Sequence, residues 1–339
     1  MSYRLCCYSM IIARVEDVSR CFCQCSASAT YKTTLTRVVG INGLAAKAIA
    51  EARMGQAGAE IALVLDTTGS MAGSKIATLQ EAARQFVDTA FQPNSLRADS
   101  VKAAIVPYSQ YVNVGTSNRN ASWLDMQPSS SGGGSEHGGG NPPWSGCVGS
   151  REAPWNLTDG NPSNDIPGLP DDRVGSCPRA ITPLTSDQSR LNAEFSALSA
   201  SGMTYIPAGL IWGWRVLSPQ APFTEGAVSD PTSNKAISKH LVLMTDGQNT
   251  LHKPDGVPDH IPGNTSEANT VTSVLCENIK SAGITVFTVA FQVNDATTEN
   301  MLRDCASNPG NYYDADNNSL LLTSFKAIAD KIAVIRLAK

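Results

Sequence analysis

The chain has 339 residues, 42% of them hydrophobic, and a formal net charge of −4. That length and apolar content suffice for one large domain with a sizeable core, and the mild acidity without any Lys/Arg cluster argues against nucleic acid as a partner. No apolar run approaches the roughly 18–20 residues of a membrane helix, so no membrane span is expected in this chain.

The start of the chain differs in composition from the rest. Five of the nine cysteines lie in the first 25 residues, and the segment is too short and too polar to be a convincing signal peptide. Residues 1–26 are therefore set apart as an atypical Cys-rich N-terminus. Residues 27–58 mix alternating and Ala-rich patterns, which predicts a strand or two leading into a main domain at 59–339.

The most informative stretch comes next. An apolar run at 61–65 ends in Asp66, Thr68 and Ser70, the pattern of a buried strand that delivers a carboxylate and two hydroxyls to its carboxyl end. Three hard oxygen ligands in five residues suit a hard divalent cation such as Mg²⁺. In open α/β sheets, ligands also collect at the carboxyl ends of strands.

Other interpretations of this stretch fit less well. A phosphate-binding Walker loop needs a second Gly where Ser74 stands, and a haloacid-dehalogenase-type phosphotransferase needs an Asp where Thr68 stands. A nucleophile elbow needs Gly-x-Ser-x-Gly, but Ser70 directly follows Gly69. The remaining alternative is a strand-to-turn connection in which the hydroxyls serve as helix caps.

A helix is predicted at 75–91, because its apolar residues recur at intervals of three and four. A buried strand follows at 101–109, with a short strand at 111–114 paired to it by a tight turn. Residues 115–185 form a long insertion that contains a Gly/Ser-rich segment at 129–143. A loop of this length inside a domain is usually functional or locally pinned.

The second half of the chain alternates helices and strands. A capping-box pattern from Thr185 to Gln188 predicts a helix that runs to about residue 199. Further elements are predicted as a helix at 207–217, strands at 239–245 and 284–291, and helices near 266–281, 296–305 and 318–336. This alternation predicts an α/β fold with a three-layer, doubly wound, mostly parallel sheet flanked by helices.

Two of these later segments complete a motif. Residues 201–209 place Thr204 in a turn before a helix, and residues 237–249 contain a strand that ends at Asp246. Asp-x-Thr-Gly-Ser, then a loop Thr, then strand-Asp-Gly resembles the metal-ion-dependent adhesion site, MIDAS, of von Willebrand factor type A domains. The resemblance implies a fold of that Rossmann-like type.

The resemblance also implies a role for each residue. Thr68, Ser70 and Thr204 would bind the cation through hydroxyls, and Asp66 and Asp246 would bind it directly or through water. Mg²⁺ is the expected ion, with Mn²⁺ and Ca²⁺ as alternatives. In this family an Asp or Glu carboxylate of a protein partner fills the open coordination position.

The four later cysteines are candidates for two disulfides. Cys147 and Cys177 are 30 residues apart, and Cys276 and Cys305 are 29 apart, without the short Cys-x-x-Cys spacing of a zinc site. Two such bonds would imply an oxidising compartment. The alternative is four unrelated buried thiols.

The sequence also resembles a narrower group, the TadG-like proteins of the Flp/Tad pilus-assembly system. The stretches that carry this resemblance are 144–187, 202–223, 275–293 and 302–339. The group implies an envelope protein, anchored by an N-terminal membrane helix, whose domain acts outside the cytoplasm in pilus biogenesis or adhesion.

The chain departs from that group at its front, where the membrane helix is replaced by the Cys-rich stretch. We hypothesise that residues 1 to about 24 reflect a wrong start, a truncation or a frameshift. The alternative is a metal or redox cluster formed by Cys21, Cys23 and Cys25.

These observations predict a non-enzymatic, metal-ion-dependent protein-binding module. One alternative is the ion-binding subunit of an ATP-driven complex of the chelatase type, against which the loop cysteines argue. The other is a metal-dependent hydrolase, for which no His or Glu carries a supporting motif.

Overall fold

A computed structural model of the chain describes the backbone of residues 4–6, 22–32, 43–53, 58–91, 101–130, 142–160, 166–228 and 237–337. In the first three ranges and beyond residue 333 only the backbone is described. The hypotheses about residues 1–24 and about the three clustered cysteines therefore concern side chains outside the described part.

The described chain contains fifteen strands and seven α-helices. The strands are β1 (Arg4–Cys6), β2 (Phe22–Lys32), β3 (Gly43–Arg53), β4 (Gly58–Asp66), β5 (Val101–Tyr108), β6 (Val112–Asn113), β7 (Leu124–Met126), β8 (Cys147–Val148), β9 (Ile166–Gly168), β10 (Thr182–Thr185), β11 (Ile237–Thr245), β12 (Leu251–His252), β13 (Ile261–Pro262), β14 (Thr285–Phe291) and β15 (Tyr312–Ala315). The helices are α1 (Ser74–Ala90), α2 (Asp171–Val174), α3 (Gln188–Ser196), α4 (Ile206–Leu217), α5 (Thr265–Ser281), α6 (Ala296–Cys305) and α7 (Asn318–Leu337).

The main sheet has a parallel centre and a mixed, mostly antiparallel flank. Strands β15, β14, β11, β4 and β5 lie side by side in that order and run parallel. Beyond β5, the short strands β6, β8, β9 and β7 continue the sheet, and β10 pairs antiparallel with the middle of β5. The strand order reverses around β4, and ligands of such sheets bind at the carboxyl ends of the strands beside this point.

Each face of the sheet is covered by helices, which makes three layers. On β4, Ile61, Leu63 and Leu65 pack against α1, α3 and α7 on one face. Ala62 and Val64 pack against α4, α5 and α6 on the other. Strands buried on both faces are near-continuous apolar runs, and the predicted α/β fold with a three-layer, mostly parallel sheet is confirmed.

Helix α4 lies unusually close to the sheet. A Cβ on Gly209 would be 2.6 Å from the ring of Tyr108, and a Cβ on Gly213 would be 2.4 Å from Val64. Glycine at both positions therefore permits this approach. The contact fixes the start of α4, and with it the preceding loop at 201–205, against the carboxyl ends of β4 and β5.

The insertion at 115–185 is built into the sheet, because β7, β8 and β9 extend it past β6. A disulfide between Cys147 and Cys177 ties its middle to its end, and a second disulfide joins Cys276 on α5 to Cys305 on α6. The described parts of the insertion therefore belong to the domain's main sheet and its disulfide framework.

Local details differ from the sequence prediction. The cap of α3 is Asp187, whose carboxylate accepts from the backbone N–H of Arg190, and Thr185 instead accepts from the N–H of Asp187. The predicted capping box is therefore wrong, because the helix begins at Gln188 rather than after Thr185. The pattern also missed β15, a strand of only four residues.

The N-terminal residues form a separate sheet in which β1, β2 and β3 pair antiparallel in that order. Within the described residues, no helix has the length and apolar character needed to cross a bilayer. The proposed boundaries at residues 26, 58, 115 and 185 stay predictions.

Candidate metal centre

The carboxyl ends of β4 and β11 bring two carboxylates to the same edge of the sheet. Asp66 is the last residue of β4, and Asp246 directly follows β11. The strands are neighbours in register, with Leu65 opposite Met244. Asp66 is fully buried and Asp246 is 6% exposed, so both carboxylates are held away from bulk water.

Hydrogen bonds fix the carboxylate of Asp66. Its Oδ1 accepts from the backbone N–H of Thr68 at 2.9 Å, and its Oδ2 accepts from the hydroxyl of Thr245 at 2.7 Å. The hydroxyl of Tyr108 lies 3.5 Å from the same Oδ2. Three neighbouring strands therefore contribute to the placement of one carboxylate.

The two hydroxyls of the loop after β4 bridge toward Asp246. The oxygens of Thr68 and Ser70 are 2.9 Å apart, and Ser70 Oγ donates to Asp246 Oδ1 at 2.5 Å. Thr68 is buried, whereas Ser70 is exposed. This row of oxygens therefore runs from the interior to the surface.

The loop that carries Thr204 is bonded directly to the loop after β4. The N–H of Gly69 donates to the carbonyl of Gly202 at 2.9 Å, and the N–H of Ser201 donates to the carbonyl of Thr67 at 2.8 Å. The backbone N–H of Thr204 donates to the hydroxyl of Thr250. These contacts hold the Thr204 loop against the loop after β4, and the role of the Thr204 hydroxyl as a ligand stays a prediction.

A cationic side chain also enters this edge. Lys75, in the first turn of α1, donates from Nζ to Asp246 Oδ2 at 2.7 Å. In the sequence, Lys75 marks the start of a predicted helix. No pattern marks it, because its role depends on the direction in which α1 leaves the loop.

Negative charge is in excess at this edge of the sheet. Burial, and secondly the nearby carboxylate of Asp246, raise the pKa of Asp66 to about 6, against the lowering effect of the hydrogen bonds from Thr68 and Thr245. Burial and the charge of Asp66 also raise the pKa of Tyr108 well above its usual value. A further positive charge between the two carboxylates would relieve this repulsion.

The donor set fits a hard divalent cation. Two oxygens that bind one Mg²⁺ side by side, each at about 2.0–2.1 Å, lie about 2.9 Å apart, close to the spacings from Thr68 to Ser70 and from Ser70 to Asp246. Among the described residues, no three His, Cys, Asp or Glu side chains are grouped to hold a metal. A cation here would therefore depend on hydroxyl oxygens as well as two carboxylates, a donor set for hard ions.

Sequence reasoning missed other residues that shape this site. Thr245 and Tyr108 both approach Asp66, and the carbonyl of Met244 lies 3.4 Å from the Tyr108 hydroxyl. The signal for Thr245 is its position, next to Asp246 at the end of a strand. Tyr108 could have been found as the last residue of the strand that neighbours β4.

The insertion supports the same edge. Ser176, beside the disulfide residue Cys177, lies 2.7 Å from the hydroxyl of Ser201 in the Thr204 loop. The side chain of Gln110 donates to the carbonyl of Val174. The Cys147–Cys177 bond thus constrains chain segments that contact the candidate site.

A Ser–His pair lies where the insertion meets the β12–β13 hairpin. Ser150 Oγ is 2.8 Å from His260 Nε2, and the imidazole packs between the rings of Tyr111 and Tyr205, at 4.9 and 4.0 Å. Burial lowers the pKa of His260 to about 4, which makes it a weak base at neutral pH. We interpret this pair as a packing contact rather than a nucleophile and its base.

Comparisons with known proteins yield structures only. No protein-family model and no curated protein matches the chain. Among solved structures, the pilus adhesin SpaC from Lactobacillus rhamnosus GG is similar, with 15% identity and a TM-score of 0.48, covering 91% of this chain and 34% of SpaC. This chain therefore corresponds to about a third of that protein's length.

Two further solved structures are similar to this chain at comparable levels of identity and TM-score. The vWF domain of the type V pili tip protein Mfa5 from Porphyromonas gingivalis has 13% identity and a TM-score of 0.48, covering 82% of this chain and 95% of that domain. Proximal thread matrix protein 1 from the mussel byssus, with a zinc-occupied MIDAS motif, has 13% identity and a TM-score of 0.44, covering 82% of this chain and 49% of that one. At these values the likeness says nothing about what this chain binds.

Proposed function

We propose that the chain is a metal-ion-dependent protein-binding module of the adhesion type. The proposal rests chiefly on the convergence at the sheet edge, where Ser70 Oγ lies 2.9 Å from Thr68 Oγ1 and 2.5 Å from Asp246 Oδ1. We assign the cation to Asp66, Thr68, Ser70, Thr204 and Asp246. Mg²⁺ is the expected ion, because all these donors are hard oxygens.

The chain's own residues would hold and orient the ion. The carboxylate of Asp66, fixed by Thr245 and the N–H of Thr68, faces the buried side. Ser70 donates its proton to Asp246 and keeps its lone pairs for a cation. A bound ion supplies positive charge to attract an anionic ligand, and the exposed side of Ser70 leaves room for an Asp or Glu carboxylate of a protein partner.

The proposed setting is the bacterial cell envelope, on its periplasmic or extracellular side. Its support is the pair of disulfides, which form and persist in oxidising compartments, and the TadG-like stretches of the sequence. A role in Flp/Tad pilus assembly or surface adhesion follows from that resemblance. The disulfides disfavour a cytoplasmic chelatase-type subunit.

Melting in the presence of divalent ions tests the metal site. A ligand that binds only the folded form stabilises it by about 2.7 kcal/mol at 100 times Kd, which corresponds to a rise of roughly 5 °C in Tm. We expect Mg²⁺ or Mn²⁺ to raise the Tm of the wild type and Asp66→Ala to abolish the rise. Asp88→Ala, which removes an exposed carboxylate from α1, is the control and should respond like the wild type.

An equal response in Asp66→Ala and the wild type would contradict the assignment. Protein binding is tested by capture of envelope proteins in Mg²⁺ and in chelator. Partners retained equally in both would show that the module binds without the ion.

A further inference from the structure

Lys75 is held in one place by contacts on two sides. Its Nζ lies 2.7 Å from Asp246 Oδ2 and 5.7 Å from the ring centroid of Phe291, at the end of β14. The Lys75 side chain is 22% exposed, and that of Asp246 is 1% exposed. The ammonium therefore stands at the mouth of the site rather than in open solvent.

The two oxygens of Asp246 are divided between different partners. Oδ1 accepts from Ser70, which belongs to the proposed ligand set, and Oδ2 accepts from Lys75. Since the partners occupy different oxygens, Lys75 can keep its position while a cation binds on the Ser70 side. The charge of Lys75 then adds to that of the ion.

We propose that Lys75 sets the charge of the site, so that it weakens binding of the cation alone and favours the cation together with an anionic carboxylate. The inference rests on the proposed function, since it concerns the same site. Two carboxylates and one ammonium leave a single negative charge for a divalent ion to neutralise. Once the ion is bound, one positive charge remains in excess, which a carboxylate from a partner would balance.

Removing the ammonium should therefore have opposite effects on the two ligands. Like charges repel more strongly at a partly buried site than in water, so the cation should bind more tightly without Lys75. The loaded site would then be neutral, and a carboxylate would gain less by approaching it. If the role of Lys75 were purely structural, its removal would instead weaken the binding of both the cation and the carboxylate.

Calorimetric titration of Mn²⁺ into the metal-depleted full chain tests the first effect. Lys75→Met keeps the apolar stem against Phe291 and should lower Kd for Mn²⁺ by about tenfold or more. Lys75→Arg keeps the charge and should stay within about threefold of the wild type. Lys102→Met is the control for net charge, because Lys102 donates to the Glu225 carbonyl near the start of β5, while Asp66 lies opposite the end of β5.

Acetate is the probe for the second effect. When acetate displaces a water bound to Mn²⁺ in the loaded protein, the enhancement of water proton relaxation falls. The acetate concentration that halves this enhancement should be about threefold or more higher in Lys75→Met than in the wild type. Lys75→Arg and Lys102→Met should resemble the wild type.

The outcomes separate this inference from the proposed function. Equal Mn²⁺ affinities in the wild type and Lys75→Met, or weaker binding by Lys75→Met, would overturn the role of Lys75 and leave the metal site standing. Absence of Mn²⁺ binding in every variant would overturn both. Binding by Lys75→Met that exceeds that of the wild type supports the inference even if the wild type binds weakly.

Discussion

The strands β4 and β11 carry opposite electrostatics at their two ends. At the amino end, Glu60 on β4 stands opposite Lys239 on β11 in register, with 3.3 Å between Lys239 Nζ and Glu60 Oε2. At the carboxyl end, the same strands bring together Asp66 and Asp246. The amino end of the two strands therefore holds an ion pair, whereas the carboxyl end holds two neighbouring groups of like charge.

The partners of these charges explain the difference. Both oxygens of Glu60 accept from the backbone N–H of Ala227, at 2.9 and 3.0 Å, and Lys239 donates to the carbonyl of Ala227 at 2.7 Å. Glu60 is therefore fully paired although it is 1% exposed. The ammonium of Lys75 pairs with Asp246, whereas the hydrogen bonds described for the Asp66 carboxylate come from uncharged donors. Buried charges are usually paired, so a pair that repels marks the end where a ligand is expected.

The largest expected effect is a loss of stability caused by breaking the Glu60–Lys239 ion pair at the amino end of the strands. Lys239→Met should reduce the free energy of unfolding by about 3–5 kcal/mol, because it leaves the buried Glu60 carboxylate without its cation. Chemical denaturation at neutral pH measures this loss. The Mn²⁺ affinity of the folded variant should stay unchanged, and a clear fall in that affinity would show that the two ends are coupled.

The two disulfides allow the two ends of the strands to be tested separately, since each lies near a different end. Ser307, just after α6, bonds to Val286 near the start of β14, so the Cys276–Cys305 bond lies toward the amino end. The Cys147–Cys177 bond adjoins Ser176, which contacts the Thr204 loop at the carboxyl end.

Replacing either pair of cysteines by serine should lower the free energy of unfolding by about 3–4 kcal/mol, given loops of this length. Only loss of the Cys147–Cys177 bond should also weaken Mn²⁺ binding, because it releases chain that supports the site. Calorimetric titration of the two double variants compares them directly. An equal effect on Mn²⁺ affinity would show that the site does not depend on the insertion.

A smaller effect concerns pH. Burial lowers the pKa of His240, on β11 next to Lys239, to about 4, from an ordinary value of 6.5. Below pH 6.5 the unfolded chain gains a proton that the folded protein does not take up until about pH 4, so stability falls as pH falls through this window. At pH 5 this amounts to about 2 kcal/mol.

His240→Gln should remove this part of the acid sensitivity. The measurement is the free energy of unfolding of the variant and the wild type between pH 7 and pH 4.5, in chelator. His260→Gln is the matched comparison at the other end, because burial lowers the pKa of His260 to about 4 as well. Identical pH profiles for His240→Gln and the wild type would contradict the prediction.

Much of the fold could be predicted because its signals are local. The main strands and helices have apolar patterns at spacings of two or of three and four residues, and most predicted bounds agree with the structure within a few residues. β15 was missed because four residues carry too little pattern. The cap at Asp187 was misassigned because Thr185, two residues earlier, fits the same motif.

The candidate site was predictable in part. Asp66 and Asp246 each follow an apolar strand, and parallel neighbouring strands end at the same edge of a sheet. The assignment of all five ligands stays a prediction. Lys75 could not be recognised in the sequence, because it reaches the site only through the direction in which α1 leaves the preceding loop.

By itself, the sequence determined the layered α/β fold and the edge of the sheet at which oxygen ligands collect, because hydrophobic periodicity and strand ends are properties of short segments. Only the tertiary structure decided how charges pair. Lys239 meets Glu60, and Lys75 stands between the site and solvent, because strand register and helix direction place groups that are more than 170 residues apart in sequence within hydrogen-bonding distance. Pairing at one end and repulsion at the other thus follow from packing, which no local pattern records.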